Sequence, residues 1–194
     1  MVIMGVTGGY GTGKTTVTGM FKKLGAITVD CDRLVSDLYK PGTIIVKKIA
    51  RFFGPGILNS NGCLNRGKLA GIIFADTKKR DKINRLVHPA VKRRMLEIID
   101  TCRKKGTAVL VAEVPLLFEA GMEDWFDRII VVYCSRKRQT QRQGRSRQKE
   151  EILLRIKSQG RITEKKQRAD FIINNNGPRA ETRRQVVRIW GKCR

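Results

Sequence analysis

Eight residues near the N-terminus have the types and the spacing of a phosphate-binding loop, Gly8-Gly9-Tyr10-Gly11-Thr12-Gly13-Lys14-Thr15. Glycines let successive backbone N–H groups turn inward around an anion, and the helix that follows points its positive end at the same place. Lys14 supplies a mobile positive charge for the outer phosphates, and the Thr15 hydroxyl is placed to hold Mg²⁺. The complete pattern predicts a nucleoside triphosphate site.

The loop follows the first of five short apolar runs, which are residues 2–6, 26–29, 108–112, 129–133 and 171–173. Near-continuous apolar runs without alternation are typical of a parallel sheet that is covered on both faces. A polar or special residue lies close to the end of each run: Thr7, Asp30, Glu113, Cys134 and Asn174. Ligands of open α/β sheets gather at the carboxyl ends of the strands, so we expect these residues around the loop.

The long gap between the second and third runs predicts a mainly helical insertion of roughly 70 residues, large enough for a substrate-binding subdomain. Helical spacing is seen twice, at Val46, Ile49, Ala50 and Phe53 and again at Val91, Met95, Ile98 and Cys102. A turn-rich break at residues 54–62 separates the two patterns. Pro89 is expected in the first turn of the second helix.

Residues 136–147 carry six cations and no acid. Such a run is usually a solvated face. Its place just past a strand end favours a lid that brings arginines over the transferred phosphoryl group.

Composition agrees with a globular chain, since 41% of the 194 residues are apolar. No apolar run approaches the roughly 20 residues of a membrane helix, and the first apolar stretch lacks the basic leader of a signal peptide. The five cysteines are scattered without metal-binding or redox spacing. We therefore expect thiols in a reducing cytoplasm and no membrane span. The sequence does not distinguish a monomer from an oligomer.

The formal net charge is +24, from 41 Lys and Arg against 17 Asp and Glu. This charge fits nucleic-acid binding or a site for small polyphosphate substrates. Aromatic residues make up only 6% of the chain and offer few stacking platforms for bases. Small phosphorylated ligands are favoured, and no obligate nucleic-acid partner is expected.

The chain lacks the Asn-Lys-x-Asp sequence that reads guanine and the paired acids of a motor ATPase. The remaining class is a kinase that moves the γ-phosphoryl group to the hydroxyl of a small molecule. Such a kinase needs an acid beside the phosphates. Asp30 and Asp32 follow the second run, and their spacing would let both reach the site across a turn. Either could instead cap a helix that starts near Leu34.

Five motifs follow one another along nearly the whole chain: residues 7–16, Asp30-Cys31-Asp32, Leu86-Val87-His88-Pro89, Val114-Pro115-Leu116-Leu117-Phe118-Glu119 and Asn175-Asn176-Gly177. In order and spacing they resemble the dephospho-coenzyme A kinase family. The resemblance implies ATP-dependent phosphorylation of the ribose 3′-hydroxyl of dephospho-coenzyme A (dephospho-CoA), the last step of coenzyme A (CoA) synthesis, with Mg²⁺. It also implies an α/β fold of the P-loop NTPase type, with three layers, a five-stranded parallel sheet, a helical insertion and a lid.

Three parts are implied in this chain. Residues 1–31, 106–135 and 168–194 would form the nucleotide-binding core. Residues 32–105 would form the coenzyme-binding insertion, and residues 136–167 the lid.

The resemblance also implies roles for single residues. Asp32 matches the acid that acts on the acceptor hydroxyl, with Asp30 just before it, and His88 would face the acceptor. The remaining substrate-binding positions are Thr7, Pro115, Leu116 and Leu117. The nucleotide-binding positions are Gly9, Gly11, Thr12, Gly13, Lys14, Thr15 and Thr16. Glu119 would be a helix cap or a substrate contact.

Two positions depart from the family pattern. Glu113 stands where the family usually has Asp, so a metal or water contact would shift. In the lid, Arg138 and Arg142 keep their spacing, but Gln143 replaces the acid that normally follows. Arg138 is the favoured contact of the γ-phosphate. Another small-molecule kinase, or a P-loop ATPase that binds nucleic acid, remains the alternative.

Overall fold

The computed structural model describes residues 1–143 and 162–193. The chain divides into two compact units. The first contains Met1–Asp30 and Cys102–Arg194, and the second contains Cys31–Thr101.

A five-stranded sheet forms the centre of the first unit. Its strands are β1 (Val2–Gly8), β2 (Ile27–Asp30), β3 (Val109–Glu113), β4 (Arg128–Tyr133) and β5 (Phe171–Asn174). All neighbours are parallel, in the order β2-β3-β1-β4-β5. Each predicted run is a strand whose ends lie within two residues of the prediction. The predicted α/β class with a five-stranded parallel sheet is confirmed.

Eight helices of the described residues follow one another along the chain. They are α1 (Lys14–Lys23), α2 (Cys31–Leu38), α3 (Ile44–Phe53), α4 (Arg66–Ala75), α5 (Thr77–Lys104), α6 (Arg136–Gln143), α7 (Ile162–Gln167) and α8 (Arg179–Cys193). Two short 3₁₀ turns lie at Pro55–Ile57 and Glu123–Trp125. Among the described residues, no helix is both long and apolar enough to cross a lipid bilayer.

Both faces of the sheet are buried. The cluster that joins one face to α1 and α8 includes Met4, Val6, Val17, Phe21, Val111, Val132, Ile173 and Val186, all fully buried. Alternate residues of the same strands, such as Leu110, Ala112 and Val131, are equally buried on the other face. Side chains of this size contribute about 1.5–3 kcal/mol each when buried, so the sheet is a rigid base for its carboxyl edge.

Helix α5 corrects the prediction for Pro89, which lies inside the helix and not in its first turn. The helix begins 12 residues earlier, where the Asp76 carboxylate accepts a hydrogen bond from the Lys79 N–H at 3.1 Å. Proline removes one backbone donor from a helix interior. Apolar side chains continue through it on one face and outweigh that loss: Ile83, Val87, Val91, Met95, Ile99 and Cys102 are all buried. Ile99, and not the predicted Ile98, belongs to this face.

Helix α2 corrects a second expectation. Strand β2 ends at Asp30 and α2 begins at Cys31, so no turn separates Asp30 from Asp32 and the helix does not start near Leu34. Asp32 lies in the first turn of α2, where the helix dipole favours an acid.

Candidate active site

The phosphate loop joins β1 to α1, and two of its glycines are required by close contacts. Gly8 has φ 149°, and a Cβ there would lie 2.1 Å from the Val132 carbonyl oxygen. Gly13 has φ 92°, and a Cβ there would lie 2.3 Å from Asn175 Nδ2. The loop is therefore packed against β4 and the residue that follows β5, and only glycine fits at either position.

Lys14 places a positive charge inside the loop. Its side chain is largely buried, and its ammonium group donates to the carbonyl oxygens of Gly8 at 3.3 Å and Gly9 at 3.1 Å. No described side chain caps the N-terminus of α1, whereas Thr43 caps α3. The first N–H groups of a helix lack partners within it, and together with the ammonium they favour an anion at this place.

Thr15 and Glu113 bring oxygen atoms to the same edge of the sheet. The Thr15 hydroxyl donates to Glu113 Oε1 at 2.9 Å, and Glu113 is only 8% exposed at the end of β3. Asp30 is the register partner of Glu113 on β2. Hydroxyl and carboxylate oxygens are the donors that Mg²⁺ prefers, and this ion keeps several waters and phosphate oxygens. The donor set fits Mg²⁺ held jointly by protein and nucleotide.

Arg142 of α6 is bound to the loop. Its Nη1 donates to the Thr12 carbonyl oxygen at 3.0 Å, and its Nη2 donates to the Asn175 carbonyl oxygen at 3.0 Å. The Arg138 side chain is exposed, and its backbone N–H is capped by Ser135 Oγ. Residues 144–161, the middle of the predicted lid, lie outside the described residues.

Asn175 is a contact of the loop to which the motif comparison gave no role. It is 5% exposed, and its Nδ2 donates to the Thr12 carbonyl oxygen at 2.8 Å. Thr12 is itself fully buried and donates its hydroxyl to the Gly9 carbonyl oxygen at 2.8 Å. The Asn175-Asn176-Gly177 motif was a signal in the sequence, but the partner of Asn175 lies 163 residues away.

The predicted acceptor side of the first unit divides into buried and exposed side chains. The Thr7 hydroxyl is buried and donates to the Pro115 carbonyl oxygen at 3.3 Å. Leu117 is fully buried against Gly5, whereas Leu116 is 49% exposed. Thr7 and Leu117 support the segment from within, and Leu116 is exposed to solvent.

Asp32 and His88 belong to the second unit. Burial lowers the pKa of the half-buried His88 imidazole below its ordinary value, so the ring is uncharged at neutral pH. The phosphate loop, Thr15, Glu113 and Asp30 are brought together in the first unit.

Glu119 forms an ion pair between the Pro115 segment and α7. Lys165 Nζ lies 2.6 Å from Glu119 Oε1, and the lysine side chain is only 4% exposed. On the same helix, Lys166 Nζ lies 3.1 Å from the centre of the Tyr133 ring. These contacts fix the residues at which the predicted lid rejoins the sheet.

Replacing Glu119 by Gln leaves the Lys165 ammonium buried without its counter-charge. We expect Glu119→Gln to lower the free energy of unfolding by about 1–3 kcal/mol, since a buried charged group then lacks a partner. Urea unfolding followed by circular dichroism measures this change. Glu164→Gln, at an exposed position of α7, is the matched control and should change stability little. Equal stability of Glu119→Gln and the unaltered protein would contradict the ion-pair role.

Comparison with known proteins identifies the family. A family model described as CoaE, dephospho-CoA kinase, matches residues 2–181. The chain belongs to the dephospho-CoA kinase family. A dephospho-CoA kinase of Geobacillus kaustophilus is 41% identical over 190 residues, which are 96% of this chain and 94% of that protein.

Solved structures agree with this assignment. The dephospho-CoA kinase of Campylobacter jejuni is 27% identical and has a TM-score of 0.71 over 98% of this chain and 96% of that one. A crystal structure from Thermus thermophilus has a TM-score of 0.88 at 27% identity over the same shares. Membership of the dephospho-CoA kinase family and the P-loop kinase fold, both predicted from the motifs, are confirmed.

Proposed function

We propose that this protein transfers the γ-phosphoryl group of ATP to the ribose 3′-hydroxyl of dephospho-CoA, giving CoA and ADP in the final step of CoA synthesis. The observation that carries the proposal is the family match over residues 2–181, which spans the phosphate loop and the whole of the second unit. Residues 32–105 would hold the coenzyme, and residues 136–167 would form the lid.

The phosphates of ATP would lie in the loop between Gly9 and Gly13. Backbone N–H groups at the N-terminus of α1 would bind them, and the Lys14 ammonium would move from its carbonyl partners to the outer phosphates. Thr15 and Glu113 would hold Mg²⁺, which when bound neutralises charge on the β- and γ-phosphates. Thr12 and Thr16 complete the nucleotide site.

Asp32 would orient the acceptor hydroxyl and take its proton. A bond then forms between the 3′-oxygen and the γ-phosphorus while the bond from that phosphorus to the β-phosphate oxygen breaks, and ADP leaves. Asp30, His88, Thr7 and the Pro115 segment would position dephospho-CoA, with Leu116 as the apolar contact. Positioning and charge supply most of the rate, because a loose transition state needs little covalent help.

Arg138 and Arg142, the two lid arginines that keep the family spacing, would have different roles. Arg142 donates hydrogen bonds to the Thr12 and Asn175 carbonyl oxygens, so we assign to it the role of holding the phosphate loop in place. Arg138 is exposed on the preceding turn of α6, and we assign to it the contact with the γ-phosphate. The cytoplasm is the proposed site of action, because the five cysteines, all among the described residues, are thiols and not disulfides.

Glu113→Gln tests the proposed metal site. Loss of the negative charge next to Thr15 should raise the Mg²⁺ concentration needed for half-maximal activity about tenfold, since partners that shape a metal site affect affinity by that order. ADP binding without Mg²⁺, measured by calorimetry, should stay unchanged. Glu97→Gln, an exposed ion-pair residue of α5, is the control. An unaltered Mg²⁺ dependence would show that Glu113 does not hold the metal.

The substrate assignment is tested with a panel of acceptors. The protein is incubated with ATP, Mg²⁺ and dephospho-CoA, a set of nucleosides and nucleotides, or RNA, and ADP is followed. Selective turnover with dephospho-CoA is expected. Turnover only with a nucleoside would show another small-molecule kinase, and ADP release stimulated only by RNA would show a nucleic-acid-dependent ATPase.

A further inference from the structure

The Thr12–Gly13 peptide is held from outside the phosphate loop. In a trans peptide the C=O and the following N–H point in opposite directions, and the described residues contain no cis peptide bond. The Thr12 carbonyl oxygen points at Asn175 Nδ2, 2.8 Å away. The Gly13 N–H therefore points away from Asn175. Whatever fixes this carbonyl fixes the direction of a donor to the phosphates.

Asn175 is itself held at both ends. Its backbone N–H donates to the Tyr133 carbonyl oxygen at 2.8 Å, which extends the pairing of β4 with β5 by one residue. Its side-chain Oδ1 accepts from the Thr182 hydroxyl at 2.8 Å, and Thr182, on the first turn of α8, is fully buried. Rotation of the amide by 180° would place Oδ1 against the Thr12 oxygen, two acceptors face to face.

We propose that Asn175 is a positioning residue for the phosphate loop: its amide, oriented by Thr182, turns the Thr12 peptide so that the Gly13 N–H faces the nucleotide. The proposal rests on the proposed function only in that the loop binds ATP. If Asn175 only linked β5 to α8, its amide would not need to contact this peptide. A Cβ on Gly13, however, would lie 2.3 Å from Asn175 Nδ2, so any side chain there would displace the amide.

Arg142 contacts the same peptide from another element, and it also donates to the Asn175 carbonyl oxygen. The guanidinium reaches the same Thr12 oxygen from α6 at 3.0 Å, and α6 belongs to the predicted lid. Asn175 and Thr182 lie instead at the end of β5 and on α8, which pack into the core of the sheet. The amide therefore holds the Thr12 peptide from the end of β5, whereas the guanidinium holds it from α6.

The test uses a matched pair at Thr182 and a binding readout. Thr182→Val removes the hydroxyl and keeps the shape, and Thr182→Ser keeps the hydroxyl and removes a methyl group. Calorimetric titration with ADP should show about tenfold weaker binding to the valine variant, as expected for the loss of one oriented buried hydrogen bond. The serine variant should bind ADP within twofold of the unaltered protein. KM for dephospho-CoA should change in neither variant.

Asn175→Leu completes a double-mutant cycle. It should weaken ADP binding at least as much as Thr182→Val, and adding Thr182→Val to it should cause no further loss, because the hydroxyl acts through the amide. Thermal unfolding of every variant separates binding from stability. Unchanged ADP binding in Thr182→Val, or an equal loss in Thr182→Ser, would overturn the proposal. If the unaltered protein binds ADP but leaves dephospho-CoA unphosphorylated, the proposed function fails while the positioning role stands.

Discussion

Lys14→Ala is expected to lower kcat/KM by about 10²–10³, the usual loss when one preorganised charge is removed from a transition state. The ammonium lies within the loop and donates hydrogen bonds to the Gly8 and Gly9 carbonyl oxygens, at the start of α1. No other lysine is placed in the loop sequence, so its charge is not replaced. Steady-state kinetics with ATP and dephospho-CoA measure the loss.

The fold should survive this change. The Gly9 carbonyl oxygen still accepts from the Thr12 hydroxyl at 2.8 Å, and the core beneath the loop is unaltered. Lys23→Ala, at the exposed end of the same helix, is the matched control and should keep normal turnover. A Lys14→Ala variant with near-normal kcat/KM would contradict a catalytic role of the loop.

Asp32→Asn is expected to lower kcat by about 10²–10⁴, the range for loss of a general base, while ATP binding stays close to normal. The substitution keeps the size of the side chain in the first turn of α2 and removes its ability to take a proton. The proposed phosphate site belongs to the first unit, whereas Asp32 belongs to the second. Turnover and ATP affinity should therefore separate, which rapid-quench kinetics and ADP titration measure.

Asp37→Asn is the control on the same helix. Its carboxylate is exposed and lies 2.7 Å from Lys40 Nζ, and the hydrogen bond from Lys40 holds the pKa of Asp37 below its ordinary value. This surface pair has no part in the proposed reaction, so turnover should be unchanged. Equal losses of kcat and of ATP affinity in Asp32→Asn would indicate a structural role for Asp32.

The sheet could be predicted because each strand is buried on both faces and reads as an apolar run. Residues 171–173 were enough to place β5 to within a residue. The start of helix α5 was harder to predict. Pro89 alone indicates the first turn of a helix, whereas the apolar positions before and after it indicate one longer helix. Reading Ile83 and Val87 together with Val91 would have shown a helix that continues through the proline.

The phosphate loop could be predicted because its chemistry lies within eight consecutive residues. The contacts that hold it could not, because they join distant parts of the chain: Thr12 to Asn175 across 163 residues, and Thr12 to Arg142 across 130. The choice between a cap and a substrate contact for Glu119 was open for the same reason. Its partner, Lys165, is one of many cations in a chain with a net charge of +24.

The position of the new phosphate is the most direct test of the proposed reaction. The product formed from ATP, Mg²⁺ and dephospho-CoA is analysed by ³¹P and ¹H NMR while ADP is counted. The proposal predicts one ADP for each phosphate on the ribose 3′-oxygen, and no turnover with CoA, whose 3′-hydroxyl is already phosphorylated. A phosphate on another atom, or ADP released without phosphorylation of dephospho-CoA, would contradict it.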